Sequence, residues 1–548
     1  MDGQDHQRLS PSTDSLDWTL IWSRSLPLLI VVAALAYGWL VYPFVSPYAG
    51  GADSSGYLNF ARSLTHGKLL APVRGLPGFS VTEFGEEAYQ PQGFKIRGNS
   101  DGTMSPTYPV GFPMHVALAT FLVGSNNAVA FINILLALAG LALMYASCRY
   151  LKLSPVWSAG ATVALAVCPY FINSALQPMS DLPAMTWALG TLYAAMRSRE
   201  RISWAILCGA AASMALLVRP SNLLLALPVL VAFGLSPARY ALGLLGALPG
   251  LLFAAYVNWG LYGAPPFWHT TGYDSPTQIL NAFTADASQP FSIVHFRHHA
   301  SYFVLWILSY MGPLVICGIV LPFSPCGRTR EWTIHGVWFT GLFLPYTLVR
   351  PAGEAWWYLR YLLPAFPSLV LLATGGLSIL WDNFAPSTRS ALVRVVNRAH
   401  RRLWPPAFPT TTRYALKGAA GLAIILLSVG WMAIATARLS LFSVRSSEQI
   451  YPDAALWARN HAPSNAMILC SGFSGTIYYH TDLPIVRFDG FAPGKARAFL
   501  EAASAQYRPL YAILWPYEVD DARRLVDGNW KKVAEIGEQR IAVLQLVR

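Results

Sequence analysis

Residues 50–69 read GGADSSGYLNFARSLTHGKL and begin a few residues after the first long apolar run, 26–46, has ended. From Asp53 onward, Tyr57, Phe60, Ala61 and Leu64 recur at i, i+3, i+4 and i+7, which is one apolar face of a helix. Asp53 stands where an N-cap would, Gly67 where a C-terminal glycine would, and Lys68 beside the negative helix end. Two readings of Asp53 follow and are compatible. It caps an interfacial helix, or it is the acid/base group of a site at a membrane surface.

The membrane is implied by composition. Of 548 residues 54% are apolar and 12% charged, whereas a soluble chain carries about a quarter charged residues. Apolar runs near the ~20 residues that span a bilayer as a helix fall at 26–46, 127–150, 155–175, 181–197, 203–218, 221–235, 238–262, 301–322, 333–349, 359–382 and 414–437. The fold class expected is therefore a polytopic α-helical membrane protein of about 11–13 transmembrane helices. Run 110–124 is short and reads as a re-entrant or interfacial helix. The first run is longer than a signal-peptide core, has no clear cleavage site after it, and is expected to be retained. The six cysteines fall mostly within spans, without metal-like spacing, and read as small apolar residues.

Charge sets the orientation, because short Arg/Lys-rich loops stay cytoplasmic. Arg149/Lys152, "RSRER" at 197–201, Arg328/Arg330 and the stretch 383–417 all fall on one side if 110–124 does not cross. The N-terminal tail 1–25 is then cytoplasmic, although its own acidic residues would not have predicted that side. The net charge of +12 belongs to this positive-inside pattern and calls for no nucleic acid. Segment 387–403 reads either as a basic amphipathic helix on anionic membrane lipids or as a solvated loop.

On the opposite face lie the outer loop 47–126, the loop 263–300, short loops near 176–180, 219–221 and 350–358, and the C-terminal segment. Residues 26–440 form the membrane part, with the cytoplasmic basic loop at 383–413, and 441–548 a separate periplasmic domain. There "AMILCSGFSGTIYYH", "LYAILWPYE" and "RIAVLQLV" are β-type runs, while "PDAALWARNHA" and "APGKARAFLEAASAQY" have helical periodicity. Alternating strands and helices predict a small α/β domain. No Walker loop, dinucleotide fingerprint, Asp-x-Asp motif, nucleophile elbow or internal repeat is present.

Ionisable residues beside apolar spans are costly and tend to face cavities. Asp181 ("QPMSDLP"), Arg219 ("LLVRPS"), Glu354 ("RPAGEAWW") and Arg360 ("YLRYLLP") all lie at helix ends on the side of Asp53. The loops add Lys68, Arg74, Lys95, Arg97 and His269. Acids and cations at one membrane level suit acid–base chemistry on a phosphate-bearing substrate, although each alone is ordinary interfacial snorkelling. The histidines of "HFRHH", His295, His298 and His299, have no adjacent carboxylate or cysteine to complete a metal site.

The stretches "ADSSGYLNFARSLTHGKL", "SPTYPVGFPMHVALATFLVG", "LLVRPSNLLLALPVL", "NWGLYGAPPFWHTTGY" and "YLRYLLPAFPSLVLLATGGL" occur in this order along the membrane part. With them the chain resembles the GT-C glycosyltransferases, polytopic enzymes that use polyprenyl-phosphate sugars, and among them the protein O-mannosyltransferase and lipid A aminoarabinose-transferase type. The resemblance implies a GT-C-like fold with an outward-facing C-terminal domain. It also implies a polyprenyl-phosphate sugar donor, a lipid, glycan or protein acceptor, and inversion at the anomeric carbon. It makes Asp53 the acidic residue of the first outer loop, base or orienter of the acceptor, with Asp181 a looser match to the second acidic position. Where the commoner pattern has an acidic pair, this chain has Asp53 followed by Ser54, so a divalent metal lacks its second ligand there.

The chemistry implied is displacement at an anomeric carbon: a carboxylate takes the acceptor's proton while cations stabilise the departing phosphate. Asp53 is expected as base, and Arg360, Arg219, Lys68 and Lys95 as phosphate partners. Tyr57, Tyr108 and Trp268, with His269 and Glu354, are expected around the sugar. The expected location is a bacterial inner membrane, with membrane lipids around the spans. The alternatives are a transporter or flippase of lipid-linked saccharides, which should show repeats and mid-membrane charges, and an O-antigen polymerase or ligase, which would not need Asp53.

Overall fold

The apolar runs become helices at almost every expected position. The computed structural model describes residues 32–548 except 76–77, 80, 97–101, 264–285, 287, 290, 326, 350–353, 381–410 and 548. Among the described residues three helices are long and apolar enough to cross a bilayer alone: Ser125–Tyr150, Pro237–Tyr262 and Trp356–Leu380. Up to three more crossings arise from helix pairs bent at a break, as at Pro155–Ala166 and Pro169–Leu176, where the bend is 54°. The Asp181–Arg197 and Trp204–Val218 helices have 17 and 15 residues, short of the ~20 that a straight crossing takes. The stretch expected at 387–403 lies outside the described residues.

Run 110–124 is the 13-residue helix Gly111–Val123. At 1.5 Å per residue it is about 20 Å long, short of the ~30 Å apolar thickness of a bilayer. It ends at Gly124, whose φ of +78° turns the chain directly into the long helix that follows.

Residues 44–548 pack as one unit. Within it the C-terminal segment carries a five-stranded sheet in the order Ile485–Val486, Met467–Leu469, Leu510–Leu514, Ile541–Leu546, Trp530–Ile536. The first three strands are parallel and the last two antiparallel. Helices Ser474–His480 and Lys495–Ala505 make the crossovers between the parallel strands. The β-type run at 466–480 is thus only half strand, since its "SGTIYYH" end is helical. There the need for a crossover between parallel strands overrides the β preference of Ile477, Tyr478 and Tyr479.

The outer loop does not stand apart from this domain. Its small sheet, Ala71–Pro72, Thr103–Pro106 and Phe94–Ile96, shares one hydrophobic core with the C-terminal sheet: Phe79, Phe84 and Met104 pack with Phe499, Met467 and Leu514. This explains how the Gly51–Thr65 helix is held. A helix on a membrane surface would bury one stripe, yet Ser54 to Ala61 are all buried. The second face is covered by the C-terminal domain, where Asn59 donates to the carbonyl of Gly475 at 2.9 Å and Arg62 to that of Tyr479 at 2.6 Å.

Candidate active site

Asp53 is not the N-cap. The Gly51–Thr65 helix is capped by Gly50, whose extended backbone makes no side-chain cap bond, and Asp53 lies in the first turn. A carboxylate there is favoured by the positive helix end, and its oxygens are free to face outward from the axis. The C-terminal expectation holds: Gly67 has φ of +69°, and Gly67 and Lys68 donate back to Leu64 and Ser63 at 2.9 and 3.0 Å.

Both Asp53 oxygens are engaged. The Tyr108 hydroxyl donates to Oδ1 at 2.6 Å, and the Arg360 guanidinium donates to Oδ2 at 2.6 Å. Arg360 lies at the entry to the Trp356–Leu380 span, 307 positions downstream of its partner. Its side chain also reaches the sulfur of Met179 at 3.7 Å. A second pair stands beside the first: Arg219, at the C-terminal end of the Trp204–Val218 helix, pairs with Asp181, the first residue of the Asp181–Arg197 helix. Tyr361 joins the two, its ring centre lying 5.2 Å from the guanidinium carbon of Arg219 and 5.3 Å from that of Arg360. Such distances give cation–π attraction. Four helix ends far apart in sequence therefore deliver two acids and two arginines to one cluster.

The cluster is partly dry. The Asp181 and Arg219 side chains keep 4% and 13% of their exposure, against 28% and 23% for Asp53 and Arg360. Arg360 nevertheless leaves its Nε–H buried with no partner, a donor ready for an anion. Tyr57 and Tyr108 lie with ring centres 4.6 Å apart, and Tyr57 donates to Ser180 Oγ at 2.8 Å. Burial first, and then the negative charge of Asp53, push both phenols well above the usual tyrosine range, so both are hydrogen-bond donors at neutral pH. Tyr108 is pressed into place by backbone. A Cβ on Gly56 would come within 2.5 Å of its ring, and Gly56 and Gly93 pack backbone to backbone under it.

A cavity of about 280 Å³ opens beside Asp53, lined by Asp53, Ser54, Gln177, Met179, Glu448 and Tyr451. Of these, Met179 also touches Arg360, so the cavity reaches the ion-pair cluster.

The structure thus gathers Asp53, Asp181, Arg219, Arg360, Tyr57 and Tyr108 of the residues singled out in the sequence. Lys68 and Lys95 are exposed and pair with neither aspartate. Glu354 faces elsewhere, 3.2 Å from His298, with its carbonyl accepting from Trp306. Trp268 and His269 lie outside the described residues. Among the described residues no three His, Cys, Asp or Glu side chains cluster as ligands for a metal. Sequence reasoning missed Tyr361, Ser180 and Glu448. Tyr361 had a readable signal, its place next to Arg360 in "YLRYLLP", whereas Glu448 sat at the start of the segment 441–548, read as a periplasmic domain, with no motif around it.

No protein-family model and no curated protein sequence matches the chain. Its fold does match solved structures. The crystal structure of ArnT from Cupriavidus metallidurans bound to undecaprenyl phosphate superposes with a TM-score of 0.56 at 16% identity, covering 95% of this chain and 98% of that one. The Archaeoglobus fulgidus oligosaccharyltransferase AglB in complex with an inhibitory peptide and a dolichol-phosphate gives 0.54 at 12% identity, covering 92% of this chain and 71% of that one. The apo form of the Archaeoglobus enzyme gives 0.57 at 12% identity, over 90% and 70% of the two chains. These are membrane glycosyltransferases of the GT-C class, and the chain has the GT-C fold.

Proposed function

We propose that this protein is an integral membrane glycosyltransferase that moves a sugar from a polyprenyl-phosphate donor to an acceptor on the outer face of a bacterial inner membrane, with inversion. The observation that carries the reading is the cluster of Arg360 and Arg219, held by Asp53 and Asp181 at helix ends, with the Arg360 Nε–H unpaired. The fold supports it, because solved GT-C structures carry undecaprenyl phosphate and dolichol-phosphate.

In this reading the donor's phosphate lies against the arginines, with its polyprenyl chain among the apolar spans. As the bond from the anomeric carbon to oxygen breaks, negative charge gathers on the phosphate. Guanidinium groups fixed in advance stabilise that charge more than the ground state, so they accelerate the step beyond merely binding the donor. Arg suits the task because its planar fork binds a phosphate through more than one N–H. Asp53 holds Arg360 in that pose, and with both oxygens engaged it serves as an orienting carboxylate. Tyr57 and Tyr108 flank the sugar. The acceptor enters through the cavity beside Asp53. The sugar and the acceptor are of the classes named here, a hexose or pentose and a lipid, glycan or protein.

The test is transfer from a radiolabelled polyprenyl-phosphate sugar pool into membrane fractions by wild type and Asp53→Asn. The variant keeps size and one acceptor oxygen but loses the charge that fixes Arg360. Transfer lost from normally abundant, folded Asp53→Asn supports the site. Transfer at the wild-type rate removes Asp53 from it.

A further inference from the structure

One half-buried carboxyl beside the site has no part in the ion pairs. Glu448 lies at the end of the short helix Val444–Glu448, just past the last apolar helix Thr411–Arg438, where the chain enters the C-terminal domain. It lines the same 280 Å³ cavity as Asp53. The two pairs at the cluster leave Asp53 and Asp181 each facing an arginine. Glu448 faces a hydroxyl instead, that of Ser46, which donates to its Oε2. The neighbouring groups include one cation, Arg445, three residues back on the same short helix. Tyr451 is on the following helix, Tyr48 donates to Gln449, and Asp53 stands across the cavity. Among the described residues its other oxygen has no hydrogen-bond or ion-pair partner.

We propose that Glu448 is the group that takes the proton from the acceptor nucleophile, a role resting on the glycosyl-transfer reading above. A base must offer a lone pair within reach of the proton, and a carboxylate already neutralised by a guanidinium offers a weak one. The cavity gives an acceptor hydroxyl or amine room to stand between Glu448 and the cluster.

Protonation fits the role. Burial pushes the Glu448 carboxyl up to about 7, partly offset by the Ser46 hydrogen bond. A general base is most effective with its pKa near the working pH. The step balances without another reactant. The acceptor's O–H or N–H bond breaks and its proton passes to the Glu448 carboxylate, while the acceptor atom bonds to the anomeric carbon. The bond from that carbon to the phosphate oxygen breaks, and its electron pair leaves on polyprenyl phosphate. Glu448 then returns the proton to water.

The experiment uses the full-length protein, purified and added to membranes from cells lacking it, with a radiolabelled undecaprenyl-phosphate sugar pool. Initial rates are followed from pH 5.5 to 9 at saturating donor. Wild type is expected to lose rate about tenfold per pH unit below an apparent pKa near 7. Glu448→Gln should transfer about 100-fold or more slowly with that acid limb gone, while binding undecaprenyl phosphate as wild type does. Ser46→Ala, which removes the hydrogen bond that favours the carboxylate, should move the limb to higher pH; a merely structural glutamate would leave it in place. Glu448→Gln retaining both the rate and the acid limb overturns the assignment of Glu448 alone. Wild type that cleaves no labelled donor at any pH overturns the glycosyl-transfer reading itself.

Discussion

The Arg360 guanidinium and the Asp53 carboxylate meet at 2.6 Å across 307 positions of sequence. One comes from the helix that follows the first apolar run, the other from the start of a late span, so the pair forms only when the membrane body and the outer loop are assembled together. The same pair shows that Asp53 is spent on Arg360 and Tyr108 rather than on capping its own helix.

The neighbouring pair should matter for stability more than for geometry. With Asp181 and Arg219 almost wholly removed from solvent, Asp181→Ala strands a buried guanidinium. The expected cost is about 3–5 kcal/mol, seen as a lower melting temperature in detergent. Replacing both with neutral residues of similar size, Asp181→Asn with Arg219→Met, should recover most of the melting temperature and still leave transfer impaired. A double variant as unstable as Asp181→Ala would contradict this.

Gly56 should be a site of folded but slow protein. A side chain there meets the Tyr108 ring at 2.5 Å or less, and the cheapest relief is for Tyr108 to swing away from Asp53. Gly56→Ala is expected to lower transfer about tenfold to a hundredfold, a barrier change of roughly 1.4–2.7 kcal/mol, with binding of undecaprenyl phosphate retained. Equal rates for Gly56→Ala and wild type would show that Tyr108 is dispensable.

Glu448 also makes folding depend on pH. Its folded-state pKa of about 7 stands above the ordinary 4.5, so the folded chain holds a proton that the unfolded chain releases. The stability tied to that proton is complete below about 4.5 and is lost as pH rises through 7. The shift corresponds to roughly 3 kcal/mol. Melting temperatures from pH 4.5 to 8 should fall less steeply for Glu448→Gln than for wild type, and parallel curves would contradict the assignment.

Much of this was legible in the sequence, for definable reasons. Length and apolarity placed helices at 127–150 and 238–262, because bilayer thickness dictates them. The rule that charges beside apolar spans tend to face cavities picked out Asp53, Asp181, Arg219 and Arg360, which the fold brings into two neighbouring ion pairs. Pairing was not legible. Which acid meets which arginine depends on helix packing between segments tens to hundreds of residues apart, and local periodicity carries none of that. Likewise the shared core of Phe79 and Phe84 with Phe499 joins two stretches that read separately as a loop and a domain. Glu448 was hidden because its burial comes wholly from tertiary contacts, with Ser46 as partner.

Glycosyl transfer at the arginine cluster is best tested by following both halves of a labelled donor. Undecaprenyl phosphate bearing a radiolabelled sugar is placed in vesicles with wild type or Arg360→Met, together with membranes as acceptor. Wild type should release undecaprenyl phosphate in step with labelled acceptor, and folded Arg360→Met should lose about 100-fold or more of both. Label that crosses the vesicle membrane still attached to its lipid, or an Arg360→Met variant as fast as wild type, would contradict it.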